Sequence, residues 1–486
     1  MKKIIKYYVF LIITSTLLIA STKYLYCLSS ITIDTEYKLR GLSYPNLDYN
    51  ISTSTDARAY YYQQLHLTLK GNFLPETEIC TKIQAIGIVG STVTLSDFEW
   101  QKKYPYPNTN FIPFIENAYI KVRNFAEYPV EFTIGRQPLE YGGGGLLISD
   151  NGAGMNAIHI AVDYPKQLHA ELFTVKVKEN FIQSQDNDIY GLCAKYPFKK
   201  FKLEFGYYDQ KDFSGTPYRQ GIKVANTISI TKQFYDFRIF NSGGWGNYFI
   251  EYVLQKGRIT PAFGNNVEMN ARAVLLKGRL INEKTKLGKV SGFGLLTAST
   301  GNKKIGFTPS GENEWHSTDE EFNPDFTKKY DGLIRSGWGA FFASNVVDTF
   351  FDIPTDKTQN IPNFSGLGTF GLGMDFSPWF GWTFGFSGFY YNAGTSFNKG
   401  APAISGGFAA SGSGIETLSA LLISEDPATA KRYNLGAELD IFALYVPSKL
   451  LEFKISYSRY TPPSFSFIWP KINSNEQFLF EMACRF

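Results

Sequence analysis

The chain has 486 residues with 48 Lys+Arg against 44 Asp+Glu, so a formal charge of +4 declares no polyanion binder and excludes nucleic acid as the expected partner. An aromatic fraction of 16% and a hydrophobic fraction of 44% exclude disorder. The cysteines Cys27, Cys80, Cys193 and Cys484 form no CxxC pair, and the histidines His66, His159, His169 and His316 form no HExxH, so no metal site, redox centre or cofactor is expected.

Met1-Lys2-Lys3-Ile4-Ile5-Lys6 places positive charges ahead of an apolar run from Tyr7 to Ala20. That run fits a signal-peptide core and is short for a membrane-spanning helix. Residues 1–30 are read as a leader, cleaved near residue 20 or 29, and the chain as exported.

From residue 31 onward, alternation with a period of two recurs along nearly the whole length. Ile31, Ile33, Tyr37 and Leu39 interleave with Thr32, Asp34, Glu36, Lys38 and Arg40. Leu65, Leu67 and Leu69 interleave with Gln64, His66, Thr68 and Lys70. Ile120 and Val122 oppose Lys121 and Arg123, and Phe173, Val175 and Val177 oppose Thr174, Lys176 and Lys178. The pattern continues where Phe201, Leu203, Phe205 and Tyr207 oppose Lys202 and Glu204, and where Tyr235, Phe237 and Ile239 oppose Asp236 and Arg238. Near the end, Leu451, Phe453, Ile455 and Tyr457 oppose Glu452, Lys454, Ser456 and Ser458.

A soluble sandwich also alternates, but its inner faces must fill one finite core. So many strands with one aromatic and one charged face imply two solvents. The expected fold is an all-β, transmembrane antiparallel barrel over residues 31–486, with roughly 16 to 20 strands and about 18 as the best count. A barrel of that width encloses a lumen, and the excess of Tyr, Phe and Trp supplies interfacial girdles.

Three segments break the alternation and are candidates for long loops or inward folds: Tyr141-Gly142-Gly143-Gly144-Gly145 through Gly154, residues 301–336, and residues 399–430. Gly366-Leu367-Gly368-Thr369-Phe370-Gly371 has dinucleotide-fingerprint spacing, but Asp375-Phe376-Ser377-Pro378 and aromatic alternation follow it instead of a helix. At the end, Phe478, Phe480, Met482, Cys484 and Phe486 share one parity. A terminal Phe closing such a strand resembles the outer-membrane assembly signal, which implies the barrel-assembly machinery as a partner beside outer-membrane lipids and lipopolysaccharide.

The segment from Asn117-Ala118-Tyr119-Ile120 to Phe132-Thr133-Ile134-Gly135-Arg136-Gln137-Pro138-Leu139-Glu140-Tyr141-Gly142 resembles the alginate-export family of outer-membrane barrels, whose strands carry a G-R-Q-x-L-x-Y-G signature. The resemblance implies an electropositive lumen passing an acidic polysaccharide, with Arg136 contributing to it. Gly145 and Asn156 stand where that family carries an arginine and an aspartate. Arg136 also shares parity with Phe132 and Ile134, so a regular strand aims it at lipid unless Gly135 marks a bulge or the strand has ended.

The functional expectation is an outer-membrane channel of a Gram-negative-type bacterium that passes anionic or carbohydrate solutes by diffusion, with acidic-polysaccharide export as its narrower form. The pathway residues expected are Lys121, Arg123, Arg136, Lys176, Lys178 and Lys202. The readings from other classes are a hydrolase with a rim site using His66 or His159, and an adhesin displaying the 301–336 and 399–430 loops. No catalytic residue is assigned.

Overall fold

The computed structural model describes residues 30–44, 58–74, 76–89, 112–142, 147–149, 154–164, 168–179, 186–215, 218–220, 223–241, 243, 246–286, 288–300, 318–319, 367–393, 433–461 and 475–486. The leader and nearly all of 301–336 and 399–430 lie outside the described residues.

The alternating segments form strands because β-branched and aromatic side chains suit a pleated surface with two unlike faces. In the first third these are β1 (Ser30–Tyr44), β2 (Arg58–Leu74), β3 (Thr77–Val89), β4 (Ile112–Val122), β5 (Val130–Gln137), β6 (Glu140–Tyr141), β7 (Ile148–Ser149) and β8 (Met155–Tyr164). The middle contains β9 (Leu168–Lys178), β10 (Asn187–Pro197), β11 (Lys202–Asp212), β12 (Tyr218–Gln220), β13 (Lys223–Ala225), β14 (Thr227–Asn241), β15 (Gly246–Pro261) and β16 (Val267–Thr285). The rest are β17 (Gly288–Ser299), β18 (Thr318–Asp319), β19 (Leu367–Ser377), β20 (Trp382–Ala393), β21 (Tyr433–Ser448), β22 (Leu451–Thr461) and β23 (Asn475–Arg485).

β6 with β7 and β12 with β13 make two small hairpins, and β18 adds a parallel pair to β16 at Glu268↔Thr318. The other eighteen strands pair antiparallel with their chain neighbours, and β1 pairs with β23 from Glu36↔Arg485 to Ser43↔Phe478. The sheet is thus a closed eighteen-stranded barrel without an edge, the arrangement that satisfies every ladder amide and carbonyl inside a bilayer. The expected architecture and strand count are both met.

Burial separates the two faces. On β14, Ile230, Lys232, Phe234, Asp236 and Arg238 are buried toward the lumen, while Phe237 and Ile239 are exposed on the outer face. The outer face continues through exposed Ile134, Ile158, Leu172, Leu192, Leu372, Ile441, Ile455 and Phe480. This apolar belt on a closed barrel makes the chain an outer-membrane protein. Short connections such as Leu74 to Thr77, Pro197 to Lys202 and Ser448 to Leu451 share one end with the start of β1 and the end of β23. Long ones such as Val89 to Ile112 and Ala393 to Tyr433 lie at the other, so the short-turn end is periplasmic. There, Phe376, Phe384, Trp382, Tyr445 and Phe453 form a continuous ring ladder with centroid spacings of 4.5 to 6.4 Å, an interfacial girdle.

The lumen wall is tightened by rings laid over glycines. A Cβ built on Gly191 would collide with the Phe173 ring, and one on Gly206 with Tyr208. Glycine in a strand weakens it unless something occupies the vacated space, and here a neighbouring aromatic does so.

Candidate functional site

The site starts where β5 ends. The Gln137 side-chain amide donates to the carbonyls of Thr133 at 3.3 Å and Ala157 at 3.1 Å, anchoring the strand end to the inner wall. The chain then enters the lumen. Leu139, Tyr141, Leu147 and Ile148 are all buried, although they belong to a connection between strands. β6 and β7 pair through Glu140↔Ser149 and Tyr141↔Ile148, and the Leu147 amide donates to the Tyr141 carbonyl at 3.1 Å. Gly142 at φ 90° and Gly154 at φ 69° occupy left-handed conformations at the exit and return of this hairpin. Tyr141-Gly142 through Gly154, a candidate inward fold from sequence, is thus folded inward where it is described.

Tyr141 is the hairpin's anchor. Its ring stacks on Phe173 at 4.4 Å and 14°, and tilts against Tyr208 at 5.6 Å. Its hydroxyl donates to Glu171 Oε2 at 2.8 Å. Burial, together with the adjacent Glu171 carboxylate, pushes the Tyr141 phenol well above its ordinary range, so the hydroxyl keeps its proton and remains a donor. Glu171 is shared with His159 Nε2 at 3.3 Å and His169 Nε2 at 2.5 Å.

Next to this anchor lies a charged network. Arg238 reaches Glu204 at 2.6 Å and Asp236 at 2.9 Å, and donates to the Tyr208 hydroxyl at 3.3 Å. The Cys193 thiol donates to Glu204 Oε1 at 2.9 Å, and Lys195 lies 3.5 Å from Glu204 Oε2. Between hairpin and wall is a cavity of about 500 Å³ whose lining includes Lys121, His159, Glu171, Lys195, Glu204 and Arg238. A hairpin folded against the inner wall, with fixed charges and rings beside the gap, can select solutes by size and charge. Among the described residues no group of three or more His, Cys, Asp or Glu side chains is arranged to hold a metal ion.

The six residues expected along the pathway are distributed unevenly. Lys121 lines the cavity and is paired with Glu131 at 2.8 Å. Lys202 has the lumen parity of Glu204 at the periplasmic mouth, its Nζ 6.0 Å from the Phe240 ring centre. Arg123 lies in the periplasmic connection after β4, held by Glu78 at 2.7 Å and Glu131 at 3.4 Å; the Glu78 bond raises its already high pKa.

The other three lie elsewhere. Arg136 pairs in register with Ala118 and Asn156, with no register shift to mark a bulge, and β5 ends one residue later. It therefore has the outer parity of Ile134, at the end of the wall, with a 3.4 Å bond to Asn156 Oδ1. Lys176 has the outer parity of exposed Leu172 and is surrounded by Asp188 at 2.7 Å, Glu179 at 3.1 Å and Asp186 at 3.2 Å. Lys178 is exposed at the same extracellular end, opposite Asn187 across an irregularity in the ladder.

The reason is physical. Phe173 and Val175, expected at lipid from the alternation, are buried on the lumen side, Phe173 stacked beneath Tyr141 of the hairpin, which gives β9 an apolar inner face. Lys195, which shares parity with the buried Cys193, and the anchor pair Tyr141 and Glu171 escaped the sequence reading; Tyr141 beside a glycine run after Gln137 was the available signal. His66 is a wall residue, 2.9 Å from Gln64 and 3.4 Å from Glu36.

No protein-family model and no curated protein matches the chain. Solved structures do match in fold. OccAB3 of Acinetobacter baumannii is 11% identical, with 94% of this chain and 99% of that chain covered at a TM-score of 0.52. A BenF-like porin from Pseudomonas fluorescens Pf-5 is 10% identical over 95% and 99%, at a TM-score of 0.51. The outer membrane protein opdK from Pseudomonas aeruginosa is 12% identical over 94% and 99%, at a TM-score of 0.50. These likenesses reach a porin-like barrel and do not extend to the alginate-export family, whose resemblance stays confined to the one sequence segment. The chain has the fold of an eighteen-stranded outer-membrane porin barrel.

Proposed function

We propose that the chain is a passive outer-membrane channel for small anionic or carbohydrate solutes, gated by size and charge at the Tyr141 hairpin. The observation that carries this reading is the burial of Leu139, Tyr141, Leu147 and Ile148 inside the barrel, where Tyr141 pairs with Ile148, beside a cavity whose lining includes Lys121, Lys195 and Arg238. The lining sets Lys121, Lys195 and Arg238 beside Glu131, Glu140, Glu171 and Glu204, so a solute's charged groups meet fixed charges of both signs, while Tyr119, Phe240 and Phe249 offer faces for a sugar or an aromatic ring. The fold neighbours support a channel over an enzyme, since one of them is a BenF-like porin.

Export of an acidic polysaccharide is the narrower reading and rests on the 117–142 segment alone. It draws no support from Arg136, which has the parity of the lipid-facing Ile134.

Single-channel recording of the refolded protein in a planar bilayer, under a salt gradient and then with added oligouronates, tests the reading. Conductance with anion preference and no uronate block is the expected result. Uronate block would move the assignment to polysaccharide export, and a folded barrel without conductance would end the channel reading.

A further inference from the structure

The periplasmic turn between β10 and β11 is Phe198-Lys199-Lys200-Phe201, closed by a hydrogen bond from the Phe198 amide to the Phe201 carbonyl at 2.8 Å. Phe198 and Phe201 stack at 4.6 Å and 23°, and Tyr196 meets Phe198 edge-on at 4.7 Å. Tyr196, Phe198 and Leu203 are exposed on or beside the outer face, so this turn carries an apolar cluster at the level where the bilayer meets the periplasm.

Between those rings stand two exposed lysines. Many cations of the wall have acidic partners, as Lys121 has Glu131, Arg123 has Glu78, Lys176 has Asp188 and Arg238 has Glu204. Lys199 and Lys200 have no carboxylate within ion-pair distance among the described residues. Two adjacent uncompensated ammonium groups repel each other, a cost that a bound anion removes. The turn's own hydrogen bond and ring stack hold the lysine backbones in place before anything binds, so little ordering is left for a ligand to drive.

We propose that this turn binds the head group of an anionic phospholipid in the inner leaflet. The two ammonium groups take the phosphate as point charges, and the Tyr196, Phe198 and Phe201 rings sit against the glycerol and upper acyl region. The rings account for why the ligand is a lipid: a free phosphate would use the lysines and leave the aromatic cluster unengaged.

The test is native mass spectrometry of the full-length barrel released from detergent with equal amounts of phosphatidylglycerol and phosphatidylcholine. Wild type is expected to retain phosphatidylglycerol preferentially. Lys199→Gln with Lys200→Gln should lower that preference by about fivefold per lysine, whereas the paired Arg substitutions should keep it. Heat-modifiable gel mobility establishes that each variant is folded, and unchanged single-channel conductance that the lumen is intact. Equal lipid retention by wild type and the Gln variant would overturn the proposal. Full displacement of the lipid by soluble glycerol phosphate would also overturn it, because the site would then belong to a free phosphate.

Discussion

The Tyr141 hydroxyl and Glu171 carboxylate, 2.8 Å apart, join a loop residue to the inner wall of the barrel. One bond, backed by the stack on Phe173, fixes how far the hairpin reaches into the lumen. Tyr141→Phe should loosen the hairpin by about 2 kcal/mol, the worth of a buried bond to a charged acceptor, and appear as current flicker at unchanged mean conductance. Tyr141→Ala removes the stack as well and should raise single-channel conductance. Identical, quiet openings in all three proteins would mean that the hairpin does not set the constriction.

Charge selectivity should follow lumen position. Lys121→Glu places a second acid beside Glu131 in the cavity lining and should shift the reversal potential toward cations. Arg136→Glu and Lys176→Glu alter the outer face near the extracellular end and should leave the reversal potential where it is. A shift from either outer substitution would contradict the parity described above.

Arg238 is a structural cation in a group of acids. Glu204, Asp236 and Glu251 are buried around it at 2.6, 2.9 and 4.0 Å. Arg238→Met strands their charges and should cost about 3–5 kcal/mol, seen as a lower urea midpoint for the heat-modifiable folded band. Adding Glu204→Gln and Asp236→Asn should restore most of the loss, because the uncompensated charge goes with them.

Two glycines make a matched pair for the ring-over-glycine packing. Gly191→Ala drives a methyl into the Phe173 ring and should cost about 1–3 kcal/mol. Gly278→Ala, on the outer face, meets nothing within 4 Å and should refold as wild type. Equal midpoints for the two would show that the ring is free to move aside.

Most of the barrel was legible because a strand with a lipid face and a water face writes its period directly into residue order. Leu65-His66-Leu67-Thr68-Leu69 and the final Phe478 to Phe486 run both matched strands, β2 and β23. Legibility failed wherever a third surface entered. Phe173 and Val175 were read as lipid-facing because the rule admits only two solvents, and the hairpin that covers the inner wall is itself a protein surface. The same exception occurs on β16, where Val267, Met269 and Leu275 are buried on the lumen parity. Arg136 was readable as outward-facing from Phe132 and Ile134; only its place at the end of the wall required the register.

The seam of the barrel has a consequence for biogenesis. The Phe486 amide donates to the Thr35 carbonyl at 2.8 Å, and Arg485 binds Glu36 at 2.9 Å across a separation of 449 residues. Among the described strands β1 and β23 therefore close the sheet on each other, and the strands before β23 cannot be sealed until it has arrived. Loop entropy for that one contact is paid over nearly the whole polypeptide, which places ring closure among the slowest kinds of folding event. A chain stalled or clipped short of its last strand would leave two unpaired ladders facing each other in the periplasm, a substrate for proteolysis and not a leaky pore. The architecture thus makes delivery of β23 a condition for any opening in the membrane.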